Sequence, residues 1–143
     1  MKKLFALFAF AVGITHAAKA DTYDPVASAQ AVITAGNARF TVLTPEMIRI
    51  QYSHDGRFED RATFGVVNRR LPVPAFTHVT RGGMLEIKTG ALTLRYKVGG
   101  VINAAEKNPE VLNIKMKLNG RDIIWYPGKD DAMNLKGTTR TLD

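Results

Sequence analysis

Between Ala38 and Tyr126, apolar and polar residues alternate one for one in short runs separated by turn residues. An amphipathic helix places its apolar residues three and four apart and does not produce this rhythm. The clearest run sets Ile114, Met116 and Leu118 against Lys115 and Lys117. Asn119-Gly120 then supplies residues that tolerate the left-handed backbone of a type I′ turn, and residues 121–126 return as the second arm of a hairpin. A second hairpin is predicted where Leu85 and Ile87 lead through Thr89-Gly90 to Leu92, Leu94 and Tyr96, with Glu86, Lys88, Thr93 and Arg95 outward. Upstream, Phe40 and Val42 alternate with Arg39 and Thr41, and Ile48, Ile50 and Tyr52 alternate with Arg49 and Gln51 across a Thr44-Pro45-Glu46 turn. Ser53-His54-Asp55-Gly56 is turn chemistry, residues 63–67 and 76–81 read as further strands, and Pro72 and Pro74 make an extended connector between them. Residues 101–109 fit either a loop or a short helical turn. About eight short strands with no long helical pattern predict an all-β fold, an antiparallel β-sandwich.

The N-terminus reads differently. Lys2 and Lys3 precede an apolar run over residues 4–14, and Ala18-Lys19-Ala20 forms an A-x-A cleavage site, the three parts of a secretory signal. The apolar run is well short of the roughly 20 residues that span a bilayer. Residues 1–20 are therefore expected to be removed by one cut after Ala20, with Ala18 and Ala20 as the small residues of the site, leaving an exported chain that starts near Asp21, periplasmic or extracellular, and is not held in a membrane. Loss of Lys2, Lys3 and Lys19 lowers the formal charge from +7 to +4. The remaining bases, among them Arg69-Arg70, Lys115 and Lys117, read as outward charges of a solvated sheet face rather than the clustered basic face of a nucleic-acid binder. Cysteine is absent, which excludes disulfides and zinc–thiolate sites and leaves core burial to hold the exported domain together. Residues 21–37 are expected to form a tail with a first short strand around residues 31–34, and residues 38–133 the sandwich.

Candidate chemistry is sparse. Glycoside hydrolysis needs two carboxyl groups roughly 5 to 9.5 Å apart across the scissile bond. Glu59-Asp60 and Asp130-Asp131 are the obvious pairs, but neighbours on an extended chain point to opposite faces, and both lie in polar, exposed stretches. His54 and His78 stand apart from any nucleophile or ligand cluster. Lys136-Gly137-Thr138-Thr139 has the wrong order for a phosphate loop, and no glycine stands at the required upstream spacing. Trp125-Tyr126 offers a flat aromatic face suited to a sugar ring, while a tryptophan on a strand is also a common core residue. No catalytic residue and no cofactor is assigned.

The final stretch, Asn134-Leu135-Lys136-Gly137-Thr138-Thr139-Arg140-Thr141-Leu142-Asp143, together with Trp125-Tyr126-Pro127-Gly128-Lys129-Asp130-Asp131, resembles glycoside hydrolase family 31. The resemblance runs from about Ala38 through the strand pattern to Asp143 and is sharpest here, where the family's N-terminal, galactose mutarotase-like β-sandwich leads toward its catalytic barrel. That family contains α-glucosidases and α-xylosidases. The resemblance implies an incomplete sandwich, residues 134–143 leading toward an absent (β/α)8 barrel, and a retaining hydrolysis carried out by a full-length parent. It implies oligosaccharide as the parent's partner and the barrel as a partner in cis, and it leaves Arg140 and Asp143 two roles: tying the linker to the barrel, which fits catalytic residues coming mainly from the barrel's own strand ends, or approaching the sugar. A barrel alone takes about 250 residues, so the catalytic aspartates have no counterpart here and this chain alone is expected not to be an enzyme. A stand-alone exported carbohydrate-binding module using Trp125, or a periplasmic adaptor that binds no sugar, are the rival readings.

Overall fold

The computed structural model describes residues 23–130. Ala18, Ala20, Arg140 and Asp143, with the signal and the lead toward a barrel, lie outside the described residues.

The described chain is all-β. A single 3-10 turn, Ala29–Ala31, precedes β1 (Val32–Ala35), β2 (Ala38–Thr44) and β3 (Met47–Tyr52), which form a three-stranded antiparallel meander. After a long connector come β4 (Phe76–Arg81), β5 (Met84–Thr89), β6 (Leu92–Lys97), β7 (Leu112–Leu118) and β8 (Arg121–Trp125), a five-stranded antiparallel meander in chain order. Every neighbouring pair within each sheet is thus adjacent in sequence as well. The turn chemistry explains this at the β7–β8 corner, where Asn119 (φ 51°) and Gly120 (φ 76°) both take the left-handed angles of a type I′ turn.

The two sheets face each other across one core, and this makes the fold a β-sandwich. Ile33, Phe40 and Val42 from the smaller sheet meet Leu85, Ile87, Leu94, Tyr96, Leu112 and Ile114 from the larger. The Phe40 and Tyr96 rings lie 5.3 Å apart at 55°, a tilted aromatic pair at the centre, and both residues are fully buried. Each such side chain taken out of water contributes about 1.5 to 3 kcal/mol, which is how a domain without cysteine holds together. Polar groups close the ends. The Thr89 hydroxyl donates to the Pro45 carbonyl across the sheets at 2.6 Å, and the Tyr96 hydroxyl donates to the Gly100 carbonyl at 2.7 Å.

Three expectations from the sequence need correction. Residues 63–67 form no strand: Thr63 and Val66 make only an isolated bridge across a tight turn, and Phe64 is fully exposed because no neighbouring strand reaches it. Thr41, expected outward, is only 3% exposed, as is Leu43 on the same face, so the far side of the small sheet is covered rather than solvated. Arg69, read as a solvated charge, is 2% exposed. The stretch 101–109, open to two readings, is a series of turns with no helix.

Candidate functional site

The larger sheet is wider than its cover. Strands β5, β6 and β7 bury alternate residues beneath the small sheet, whereas along β4 five of six residues are exposed, and along β8 only Ile123 escapes exposure. Register places His78, Ile87, Leu94, Ile114 and Trp125 in one cross-strand row on the inner face. The middle three of that row are core. The outer two lie beyond the rim of the small sheet.

Trp125 is therefore on the inner face, as strand alternation requires of one member of the Trp125-Tyr126 pair, yet it is 41% exposed. Met116 and Ile123 form the next inner pair, and Leu118, at the end of β7, is 56% exposed. Together they make an apolar ledge. The hairpin geometry adds a free edge, because Leu118 and Arg121 flank a two-residue turn and are hydrogen-bonded partners, so the backbone groups of Asp122 and Ile124 point away from β7. One of these groups is capped: the Lys129 ammonium donates to the Ile124 carbonyl. Lysine at an edge is a recognised way to discourage further pairing. An exposed indole face beside apolar neighbours is chemically suited to stacking on a flat, weakly polar partner such as a sugar ring.

The carboxylates are committed elsewhere. Glu59 is held down to about 2, first by the side-chain hydrogen bond from Arg61 and then by the Arg61 backbone N–H. Asp60 is held below the ordinary carboxylate range chiefly by the hydrogen bond from Arg39, whose guanidinium lies 2.5 Å away. Asp130 pairs with Lys107 at 2.6 Å, and Asp131 lies outside the described residues. A general acid must carry a proton near its working pH, and Glu59 and Asp60 are held in the opposite state. The His54 ring meets Tyr52 edge-on, and the His78 ring lies 6.2 Å from Phe76 on exposed β4. Among the described residues no group of three or more His, Cys, Asp or Glu could hold a metal, and no helix is long and apolar enough to cross a membrane.

Sequence reasoning missed the structural centre of the long connector. The Arg69 guanidinium donates to the carbonyls of Pro25 (2.8 Å), Asp60 (3.0 Å) and Arg61 (2.8 Å), tying the N-terminal segment and the connector together. Arg39 and Arg49 reach the same stretch from the outer face of the small sheet, both donating to the Glu59 carbonyl. Arg49 is pushed below the usual arginine value by burial, then by the nearby charges of Arg69 and Arg39. The arrangement has the chemistry of a structural clasp, with three guanidiniums spent mainly on carbonyls and Asp60. Nothing in the residue pattern separates Arg69 from Arg70, whose ion pair with Asp24 is exposed.

The chain matches no protein-family model, and no curated protein matches its sequence.

Proposed function

We propose that this chain is the exported, non-catalytic N-terminal β-sandwich of a family 31 α-glycosidase, with a structural and substrate-shaping role, whose full-length parent hydrolyses α-glucosidic or α-xylosidic bonds with retention. The observation that carries this reading is the apolar ledge formed by exposed Leu118 and Trp125 with half-buried Met116 and Ile123, beside the partly open edge of β8. A domain that folds to be covered by a neighbour leaves such a surface when it stands alone. The ion-paired state of Glu59, Asp60 and Asp130 supports a non-catalytic role. So does the all-β architecture, which is the expected layer preceding a barrel in that family.

The experiment is to read the coding frame through the codon for Asp143 and beyond, and to weigh the native product. An open frame long enough for a barrel, about 250 further codons, with a product correspondingly heavier than 15.7 kDa, is the expected result. A stop at that point with a product no larger than the chain itself overturns it.

The exposure of Trp125 favours one second reading, a stand-alone carbohydrate-binding module. It requires oligosaccharide affinity that Trp125→Ala abolishes while thermal unfolding is unchanged. Retained affinity in that variant removes it.

A further inference from the structure

Strand register gathers onto one surface the bases that the sequence scatters. The outer face of the five-stranded sheet carries Arg81 on β4, Lys88 on β5, Arg95 and Lys97 on β6, and Lys115 and Lys117 on β7, all exposed. Only Glu86 and Asp122 oppose them among the strand residues of that face, so it holds a net charge of +4. This equals the whole formal excess that remains once Lys2, Lys3 and Lys19 are removed with the leader. The rest of the chain is neutral in sum. Among the described residues Arg95 alone of the six pairs with a carboxylate, reaching Glu86 at 3.6 Å.

The charges also surround space. A groove of about 540 Å³ is lined by Lys88, Lys115 and Lys117 of this face and also by Leu92, Met116 and Ile123, which register places on the inner one; Asp122, its one acid, is the cross-strand partner of Lys117. Lys88, Thr93 and Lys115 share a cross-strand row, which sets the two ammonium stems about 9 to 10 Å apart, two strand spacings. Lys117 follows Lys115 on the same face at about 7 Å. A second groove of about 580 Å³, lined by Arg95, Lys97 and Asn113 with Glu110 as its acid, lies at the other end of the same strands. Like charges held this way repel in the free protein, and a ligand bearing repeated negative groups relieves them.

We propose that the outer face of the five-stranded sheet binds a linear acidic polysaccharide, seating its carboxylate or sulfate groups between Lys88, Lys115 and Lys117. Lysine presents a compact charge with three rotatable donors and suits single oxyanions along a flexible chain. A single-stranded nucleic acid would need aromatic faces for its bases, and no outward strand residue on this face is aromatic. The recognition of charge follows from the face itself. The choice of a sugar backbone rests on the carbohydrate reading proposed for the parent.

The test measures binding of the native product to polygalacturonate at low and high salt, with neutral dextran and duplex DNA as comparators. Binding to polygalacturonate at low salt, lost at high salt and absent with dextran, is expected. Combining Lys88→Gln, Lys115→Gln and Lys117→Gln should weaken it by about tenfold or more, while Arg57→Gln, Arg61→Gln and Lys107→Gln together, an equal change of charge on other surfaces, should leave it within about threefold. Protection of Lys88, Lys115 and Lys117 from acetylation by the bound polysaccharide gives the same answer without any substitution. No binding, equal loss in both variants, equal binding to dextran, tighter binding to DNA, or protection of other lysines instead overturns the proposal. None of these results depends on the length of the reading frame past Asp143, so this proposal and the glycosidase reading fail separately.

Discussion

Replacing Arg69 with alanine should destabilise the fold by about 2 to 4 kcal/mol, an effect large for a residue in an irregular connector. The side chain makes three hydrogen bonds, to the carbonyls of Pro25, Asp60 and Arg61, at 2.8 to 3.0 Å. Bonds to a charged donor contribute about 1.5 to 3 kcal/mol each, so their gross worth is about 5 to 9 kcal/mol. Two effects oppose them. Burial of a guanidinium costs several kcal/mol, raised here because its Nε has no acceptor and because Arg39 and Arg49 carry like charges nearby. The alanine variant sheds that cost but strands three carbonyls, which regain water only if the connector lifts away from residues 24–28. Urea unfolding followed by far-UV circular dichroism gives the magnitude, and hydrogen exchange locates it: amides of residues 57–71 should lose protection while those of β5 to β7 do not. Arg70→Ala is the internal control, since it removes only the exposed pair with Asp24 and should cost about 0 to 1 kcal/mol. If the two variants differ by less than about 0.5 kcal/mol, or if exchange rises uniformly through the sandwich, Arg69 is not a clasp.

Two further outcomes are expected from the backbone and from the ion pairs. Gly128→Ala should destabilise clearly more than Gly120→Ala, because both take positive φ (75° and 76°) but a Cβ at Gly128 would land on the Ala104 carbonyl whereas Gly120 faces open space; the cost at Gly120 alone should be about 1 kcal/mol by chemical denaturation. Asp60 is depressed in the folded state, so its contribution is complete above the unfolded carboxyl value near about 3.9 and is lost as pH falls through the lower folded value. The stability gap between the wild type and Asp60→Asn should therefore be constant from neutral pH down to about 4.5 and close below that, and a gap that widens in acid would contradict it.

The strand pattern was legible because each hairpin carries its own instructions. Asn119-Gly120 names its corner, and the one-for-one alternation of β5, β6 and β7 names the buried face, so local chemistry and tertiary packing agree; the turn expected at Thr89-Gly90 falls one residue later, at Gly90-Ala91, because Thr89 is buried as the last residue of β5 and its hydroxyl accepts from the Ala91 and Leu92 N–H groups. Alternation misled at β2, where Thr41 and Leu43 are buried on the face assigned to solvent. The cause is non-local: the fold brings other segments over a face whose partners lie far away in sequence. Arg69 was illegible for the same reason, since the carbonyls it binds belong to Pro25, Asp60 and Arg61 and only the fold brings them together. Residues 63–67 show the converse, a β-prone composition with no partner strand in reach. The cationic face was present in the sequence as alternating lysines, but its sum could not be read until register aligned four strands.

The exposed ends of the larger sheet arise from uneven cover. Three strands lie over five, so the core is complete at Ile87, Leu94 and Ile114 and stops short of His78 on one side and Trp125 on the other. The two ends of that row are not equivalent. At β4 the uncovered inner positions are His78 and Thr80, which water solvates at no cost. At β8 they are the half-buried Ile123 and the exposed Trp125, followed by a strand edge on which one carbonyl is occupied by Lys129. Apolar surface and outward-pointing backbone coincide there, and the two requirements differ in kind: the ledge is satisfied by any apolar contact, the edge only by an aligned donor and acceptor. A neighbour that packs as another domain would cover the ledge and leave Lys129 in place, whereas a neighbour that adds a strand would have to displace it. The environment of Lys129 therefore separates domain packing from strand addition as the way β8 is completed.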